Sequence, residues 1–499
     1  MQIEEDWESV QLDELEIAEV TETKPAQTYE SWCVLLFLAA FWLFGVLTAT
    51  GYPFNHMDES EFATPAISYL HGQGFQMHFS EMISLYCFLL VPWVKFFGGS
   101  LRSIRAAEIT TVTTAFFVLW LAVRRLGLIA QPFARILLLF LLATEYGIIV
   151  SYRTGRYDGL GFLLIAAVLW CMSIENQGRR LGLLSAIFLF VPWAGLQFLP
   201  LEFTAALVLA LLFRVKYWKE IAVSFLASGI GTAFFFSALF VSGRLPTFMK
   251  LLHVQQRNFF GSLLHGRFDH HNAIPANYSL PFIFMAAIIM LFGLGISRFR
   301  RAYTTLQYVI LFTVCLTVIL IATSKFPTYY SYMVTIPLMI GICAGLAVCD
   351  VARTRNTVAA LCAFSTLVGV GIHLFIFSFD RQDRDYYQVQ RFIEQTVRPD
   401  DIAYADHVGY MAVKNRAHDV YLPTSDWDII PLMSKEQKDS ITVLILRPEY
   451  VSIVPQELGG NWKPTGEALI PQGHIFLGGK LNLGFLTISD AHLLVFRRV

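Results

Sequence analysis

Charged residues make up only 15% of this 499-residue chain, against roughly a quarter in soluble globular proteins. With 55% hydrophobic residues and a mean hydropathy of +0.54, that shortage excludes an ordinary soluble globule. Cysteine is scarce too. Cys33, Cys87, Cys171, Cys315, Cys343, Cys349 and Cys362 all lie in or beside apolar segments, and none falls within residues 380–499. A disulfide framework and a Cys-type zinc site are thereby excluded, and the cysteines are read as small apolar packing residues. A net charge of −1 with no basic patch leaves no electrostatic footprint for nucleic acid. The chain shows no internal repeat and no low-complexity tract. Nor is there a basic n-region of the kind that opens a cleavable signal. Residues 1–31 are acidic (MQIEEDWESVQLDELEIAEVTETK) and are read as a disordered cytoplasmic tail, with a short binding helix as the alternative.

What is present is a series of apolar runs near the 17–25 residues that span a bilayer core. They predict about eleven transmembrane helices at 32–50, 106–123, 133–151, 158–174, 181–198, 201–214, 220–241, 280–297, 304–323, 331–349 and 357–378. With the N-terminus inside, the cytoplasmic loops carry Arg124, Arg125 and Arg135, then Arg179 and Arg180, then Arg214, Lys216 and Lys219. Arg298, Arg300 and Arg301, then Arg353 and Arg355, continue the positive-inside pattern. The division expected is an acidic tail 1–31, a membrane domain 32–379 with long outward loops 51–105 and 242–279, and a soluble domain 380–499 outside. The apolar half of the first loop (ISLYCFLLVPWVKFFGG) suits a helix lying at the interface; a full span, which would reverse everything downstream, is the alternative. Beyond the charged linker DRQDRDYY, the segments DDIAYADHVGYMAV, ITVLILRPEYVSIV and HLLVFRRV read as strands and YYQVQRFIEQTV as a helix, predicting a small α/β or α+β domain.

The outward loops carry the candidate chemistry. Asp58 and Glu59 are adjacent acids just after the first helix, ahead of an amphipathic stretch FATPAISYL. Solvated loop charges and plain helix N-capping are the bland readings of such a pair. Arg156 and Asp158 open the fourth span in RTGRYDGL, and Lys325, Tyr329 and Tyr330 precede a late one in SKFPTYYSYMVTIPL. Charges beside a membrane are costly and usually functional, although a snorkelling residue has the same address. His253, His265, His270 and His271 share the second long loop with Asp269, without the spacing of a structural zinc site. Glu145 falls near the middle of its expected span, and neither it nor Glu108 acquires a role from the sequence. Asp406 and His407 read as surface polars at a strand end, and Asn277-Tyr278-Ser279 is an outward glycosylation sequon that matters only in a eukaryotic secretory membrane.

The string from MDESEFATPAISYLHGQGF through KFFGGSLRSIRAAEI, followed by RTGRYDGL, HHNAIPANY and SKFPTYYSYMVTIPL, resembles the polytopic GT-C glycosyltransferases over roughly residues 30–380. Within them it is most similar to the dolichyl-phosphate-mannose protein mannosyltransferases and the aminoarabinose transferases that modify lipid A. The resemblance implies a GT-C-type helical membrane domain and inverting transfer of a sugar from a polyprenyl phosphate to an acceptor on the non-cytoplasmic face. It implies Asp58 as general base, with Glu59 and Asp158 in the catalytic set, and Arg156, Lys325, Tyr329 and Tyr330 around the donor phosphate. It also implies a divalent metal ion at Glu81; His270 and His271 are candidates to complete that metal site, and a flexible polar loop covering the active site is the other reading of their segment. Met82 and Ile83 follow Glu81 where the aminoarabinose transferases carry Lys and Pro, and Glu61 and Phe62 stand where they carry Arg and Tyr. These departures put the metal and the grip on the donor phosphate in question. The partners expected are the lipid-linked donor, membrane lipids and an unidentified acceptor, in a bacterial plasma membrane. The rivals are a secondary transporter, which predicts inverted repeats and helices broken at mid-membrane, and a non-catalytic scaffold, in which Asp58 could be replaced without consequence.

Overall fold

The computed structural model describes residues 24–51, 56–72, 84–211, 217–246, 248–249, 277–296, 300–322, 330–378, 385–421, 430–470 and 492–499. Its membrane part contains α1 (Lys24–Leu47), α2 (His56–Leu70), α3 (Leu85–Phe97), α4 (Leu101–Arg125), α5 (Pro132–Thr144), α6 (Tyr146–Tyr152) and α7 (Asp158–Met172). There follow α8 (Gln177–Ala194), α9 (Leu199–Leu211), α10 (Trp218–Val241), α11 (Leu280–Ile296), α12 (Arg300–Ala322), α13 (Tyr332–Val348) and α14 (Ala352–Ser378). Five of these are long and apolar enough to cross a membrane, six if the bent pair α5–α6 is one span; α3, α7, α11, α13 and the segment Leu196–Val208 are shorter apolar helices. Every expected span coincides with helix. The chain is an integral membrane protein, and its outer helices turn apolar side chains such as Leu36, Phe234 and Leu367 outward, where lipid replaces protein as the solvent.

Two local expectations change, the first being that residues 24–31, assigned to the disordered tail, belong to α1. The run 133–151 is no single helix: α5 and α6 meet at 64° at Glu145. The break is closed by protein. Glu145 caps α6 by accepting the Ile148 N–H at 2.7 Å, and His373 of α14 lies 3.0 Å from the Ala143 carbonyl, to which it can only donate. Gly369 lets α14 approach the Thr144 carbonyl at a place where a Cβ would collide with it. The apolar half of the first loop forms α3, whose 13 residues fall short of the roughly 20 needed to span. Ser84 caps its start and Gly98, at φ 80°, ends it.

The basic ends of the helices are fastened by buried ion pairs. Glu30 near the start of α1 accepts from Arg135 Nε and Nη2 at 2.7 Å each and from Trp120 Nε1 at 2.7 Å, while Arg135 Nη1 donates to the Ile129 and Ala130 carbonyls. Both side chains are almost fully enclosed. The pair therefore joins α1, α4 and α5 by groups that lack water to fall back on.

The C-terminal part contains α15 (Tyr387–Thr396), β1 (Ile402–Ala405), α16 (His407–Arg416), β2 (Asp419–Tyr421), α17 (Lys435–Ser440), β3 (Val443–Leu446), α18 (Val454–Leu458), β4 (Trp462–Leu469) and β5 (Leu493–Arg498). The sheet order is β2-β1-β3-β5-β4, with β2, β1 and β3 parallel and β5 antiparallel to both β3 and β4. All four residues of β3 are buried, the continuous apolar run expected of a strand covered on both faces. DDIAYADHVGYMAV is a strand and then a helix, not one strand, because Asp406 caps α16 by accepting the Val408 N–H at 3.2 Å. Asp406 and His407, expected at the surface, are buried, and Asp406 also takes Arg447 Nε at 2.9 Å. α16 packs against α2 and donates from Asn415 Nδ2 to the Gly99 carbonyl at 2.8 Å, seating the sheet region on the segment between α1 and α4.

Two outcomes follow from these charges. Arg135→Ala leaves Glu30 buried without its cation and is expected to cost about 3–5 kcal/mol, whereas replacing both residues by apolar ones costs less; thermal unfolding of the two variants in detergent measures the difference. Burial raises the Asp401 carboxyl, but Arg497, the Arg398 N–H and Thr442 outweigh it and hold the carboxyl below its usual value. That stabilisation is present above the unfolded value of about 3.9 and is lost as pH falls through the folded one. A plot of Tm against pH should therefore fall more steeply below about pH 4 for wild type than for Asp401→Asn.

Candidate functional site

The turn between α6 and α7, Arg153–Tyr157, is built almost wholly from polar residues, yet every residue from Tyr152 to Asp158 is buried. Its hydrogen bonds therefore have to be met by neighbouring helices. Glu59 of α2 meets one of them. Its Oε1 accepts the Gly155 N–H at 2.6 Å and Arg105 Nε at 2.7 Å, and its Oε2 accepts Arg105 Nη2 at 2.9 Å. Arg105 Nη1 donates onward to the Ala49 carbonyl at 2.6 Å, at the exit of α1. This one network joins α1, α2, α4 and the turn. A paired planar fork of this kind also fixes orientation, because guanidinium and carboxylate bind in two parallel bonds.

Arg156 Nε donates to Asp158 Oδ2 at 2.8 Å. The guanidinium lies 5.8 Å from the Tyr157 ring centre and 5.9 Å from that of Tyr330, and the two phenols hydrogen-bond at 2.6 Å. Phe62 of α2 packs edge-on against Tyr157 at 4.4 Å. Arg156 is 2% exposed, so it is a held cation, not a snorkelling one. Arg153 donates to the Tyr152 phenol at 3.0 Å and to Thr48 Oγ1, and lies over the Phe44 ring. Glu108 of α4 accepts the Gly159 N–H in the first turn of α7.

The opposite side of α2 meets the C-terminal part. Burial pushes the Tyr386 phenol up; it accepts the Ala412 N–H and feels the Glu59 and Arg105 charges. Just beyond α2, burial and then the positive charge of Lys414 hold the His71 imidazole below its usual value. The helix that carries Asp58 is thus held from both sides.

Of the residues expected to act, the structure brings Glu59, Arg156, Asp158 and Tyr330 together around the buried turn. Asp58 is in α2, one residue before Glu59; its side chain lies outside the described residues. Glu59, expected in a catalytic pair, is 0% exposed and engaged by Arg105 and the Gly155 N–H, which fixes the orientation of α2. Glu81, His270, His271, Lys325 and Tyr329 lie outside the described residues. Among the described residues, no group of three or more His, Cys, Asp or Glu side chains could hold a metal ion.

Sequence reading missed Arg105, Arg153 and Asn277 as functional residues. The arginines were legible only as charges close to apolar runs. Asn277 was read as an outward sequon, but its amide donates at 2.6 Å to both Glu145 Oε1 and Ser331 Oγ, and its Oδ1 accepts the Ser279 and Leu280 N–H groups. It caps α11 and gives Glu145 a partner.

No protein-family model matches the chain, and no curated protein matches it. Solved structures do. ArnT from Cupriavidus metallidurans bound to undecaprenyl phosphate superposes with a TM-score of 0.58 at 14% identity, over 94% of this chain and 98% of that one. The same protein in the apo state gives 0.59 at 15% identity, over 95% and 98%. The fold is that of the GT-C glycosyltransferases. The likeness runs through the C-terminal sheet as well as the helices, since it leaves only a twentieth or so of the chain uncovered. In this GT-C fold the buried turn, α2 and the start of α7 form one unit, because Glu59 and Phe62 both reach across to it.

Asn277, 3% exposed and engaged through both amide atoms, is expected to carry no glycan even when the chain is made in a eukaryotic secretory membrane. Gel mobility before and after an N-glycosidase checks this, and a shift that Asn277→Gln abolishes would contradict it.

Proposed function

We propose that this protein is a membrane glycosyltransferase that moves a sugar from a polyprenyl phosphate to an acceptor on the non-cytoplasmic face, with inversion at the anomeric carbon. The observation that carries the reading is the fold it shares, nearly end to end, with a transferase that binds undecaprenyl phosphate. The buried turn supports it with chemistry of the required kind. Arg156 supplies a cation already oriented by Asp158 and two tyrosines, and a fixed positive charge stabilises a leaving phosphate without reorganisation as the charge develops.

In this scheme Asp58 takes the proton from the acceptor. The acceptor oxygen forms the new bond to the sugar while the bond from the sugar carbon to the phosphate oxygen breaks, and that electron pair leaves with the polyprenyl phosphate. The sugar carbon carries oxocarbenium character between the two. Lys325, Tyr329 and Tyr330 join Arg156 at the phosphate. Glu81, His270 and His271 are the candidates to hold a divalent ion, which would add positive charge at the leaving group; chelation tests that part separately. The setting proposed is a bacterial plasma membrane with residues 380–499 outside.

The test is release of polyprenyl phosphate from a panel of labelled polyprenyl-phosphate sugars, with membrane extract supplying acceptor. Removing a general base costs about 10²–10⁴ in rate. Wild type is expected to release carrier from one donor of the panel, and Asp58→Asn to lose nearly all of that activity. Equal release by both would remove Asp58 from the mechanism.

A further inference from the structure

Glu108 belongs to no step above, yet its setting is unusual. It lies inside α4 with 0% exposure, and its Oε1 accepts the Gly159 N–H. Its Oε2 is buried with no hydrogen-bond partner, and so is Oδ1 of Asp158, the residue next to Gly159. Two phenolic oxygens, those of Tyr86 on α3 and Tyr332 on α13, are buried and without a partner as well. These four groups share one neighbourhood. Tyr332 lies against Gly161 one turn along α7, with its ring stacked at 4.3 Å on Phe162, and both tyrosines interact electrostatically with Glu108 and Asp158. α4 can approach α7 so closely because Gly159 has no side chain, and α13 can do so because Gly161 has none; a Cβ on the first would strike the Glu108 carboxyl and on the second the Tyr332 phenol.

Two carboxylates in one dry place cannot both stay ionised beside a single cation without a large penalty. Among the described residues, the charged and titratable groups facing Glu108 are Asp158 and Arg156 from α7 and the turn before it, Tyr86 from α3 and Tyr332 from α13. Arg105 of its own helix is taken up by Glu59. Arg156 is committed to Asp158 Oδ2. A proton held within the pair would remove one of the two like charges and leave Asp158 Oδ2 for the guanidinium.

We propose that Glu108 and Asp158 hold one proton between them, and that Glu108 acts as a neutral positioning residue that fixes Asp158 and, through it, Arg156. The proton is the ligand of this buried site, and the two phenols line it. The positioning half rests on the transferase reading; the shared proton does not. A glutamine fits the same role: its carbonyl accepts the Gly159 N–H and its amide is neutral, as the protonated acid would be. A role that needed negative charge at position 108 would not survive that change.

Two measurements on the purified full-length protein decide the matter. The first is the infrared difference spectrum between wild type and Glu108→Gln, in ordinary and heavy water. The proposal expects the carbonyl-stretch band of a protonated carboxylic acid in wild type, shifted by deuterium and absent from the variant. No such band overturns the shared proton, whatever the enzyme does. The second is donor turnover, kcat and KM separately, for wild type, Glu108→Gln and Glu108→Ala. Glu108→Gln is expected to keep turnover within about twofold of wild type and to keep its Tm, while Glu108→Ala loses about tenfold or more in kcat, the scale of one lost buried hydrogen bond to a charged group. If Glu108→Gln falls as far as Glu108→Ala while wild type is active, the positioning role is overturned. If wild type turns over no donor, the transferase reading fails and the spectrum alone judges the proton.

Discussion

The arrangement of this protein depends on one enclosed interaction, the fork between Glu59 and Arg105 that also receives the Gly155 N–H. A polar turn buried between membrane helices has no water to satisfy it, so its backbone must find fixed partners. Glu59 supplies one and Arg105 neutralises the carboxylate that does so. Through Arg105 the network reaches the exit of α1, and through α2 it reaches α16 of the C-terminal part. The helix bearing Asp58 is held by the same bonds that hold the turn bearing Arg156. Base and phosphate-binding cation, proposed to act in one reaction, thereby share one mechanical frame.

That frame explains why charge is so unevenly spent in a chain with so little of it. Glu30 with Arg135, Glu59 with Arg105, and Arg156 with Asp158 are each nearly closed to solvent. Such pairs add little net stability over well-packed apolar residues, but each punishes a wrong arrangement by stranding a charge. In lipid, where helix association gains little from hydrophobicity, that penalty is an effective means of fixing which helices meet. The Glu145–Asn277–Ser331 node does the same through an amide that donates to a carboxyl and a hydroxyl, and it lets α5 and α6 bend where an unbroken helix was expected.

The transporter reading anticipated a broken helix, and the α5–α6 pair is bent by 64°. Its break is filled by protein groups: Asn277 from the segment leading into α11, His373 and Gly369 from α14. Together with the GT-C fold, this makes the bend a packing feature of the bundle.

The sequence by itself determined the class of the molecule. Apolar run length located long helices among the described residues, the change in composition near residue 380 marked the sheet region, and the order of polar motifs resembled the fold that superposition then gave. These features are legible because they depend on periodicity, length and local composition, which a chain carries residue by residue. Only the tertiary structure decided what individual polar residues do. Asp58 and Glu59 are adjacent acids in sequence, but Glu59 is turned into a network with a residue 46 positions away. Asn277 satisfied a sequon pattern yet is sealed against Glu145, and Asp406 had the composition of a surface position yet caps a buried helix. The physical reason is common to all three. A polar side chain in a dry interior is defined by the partner it finds, and that partner is set by the packing of distant segments.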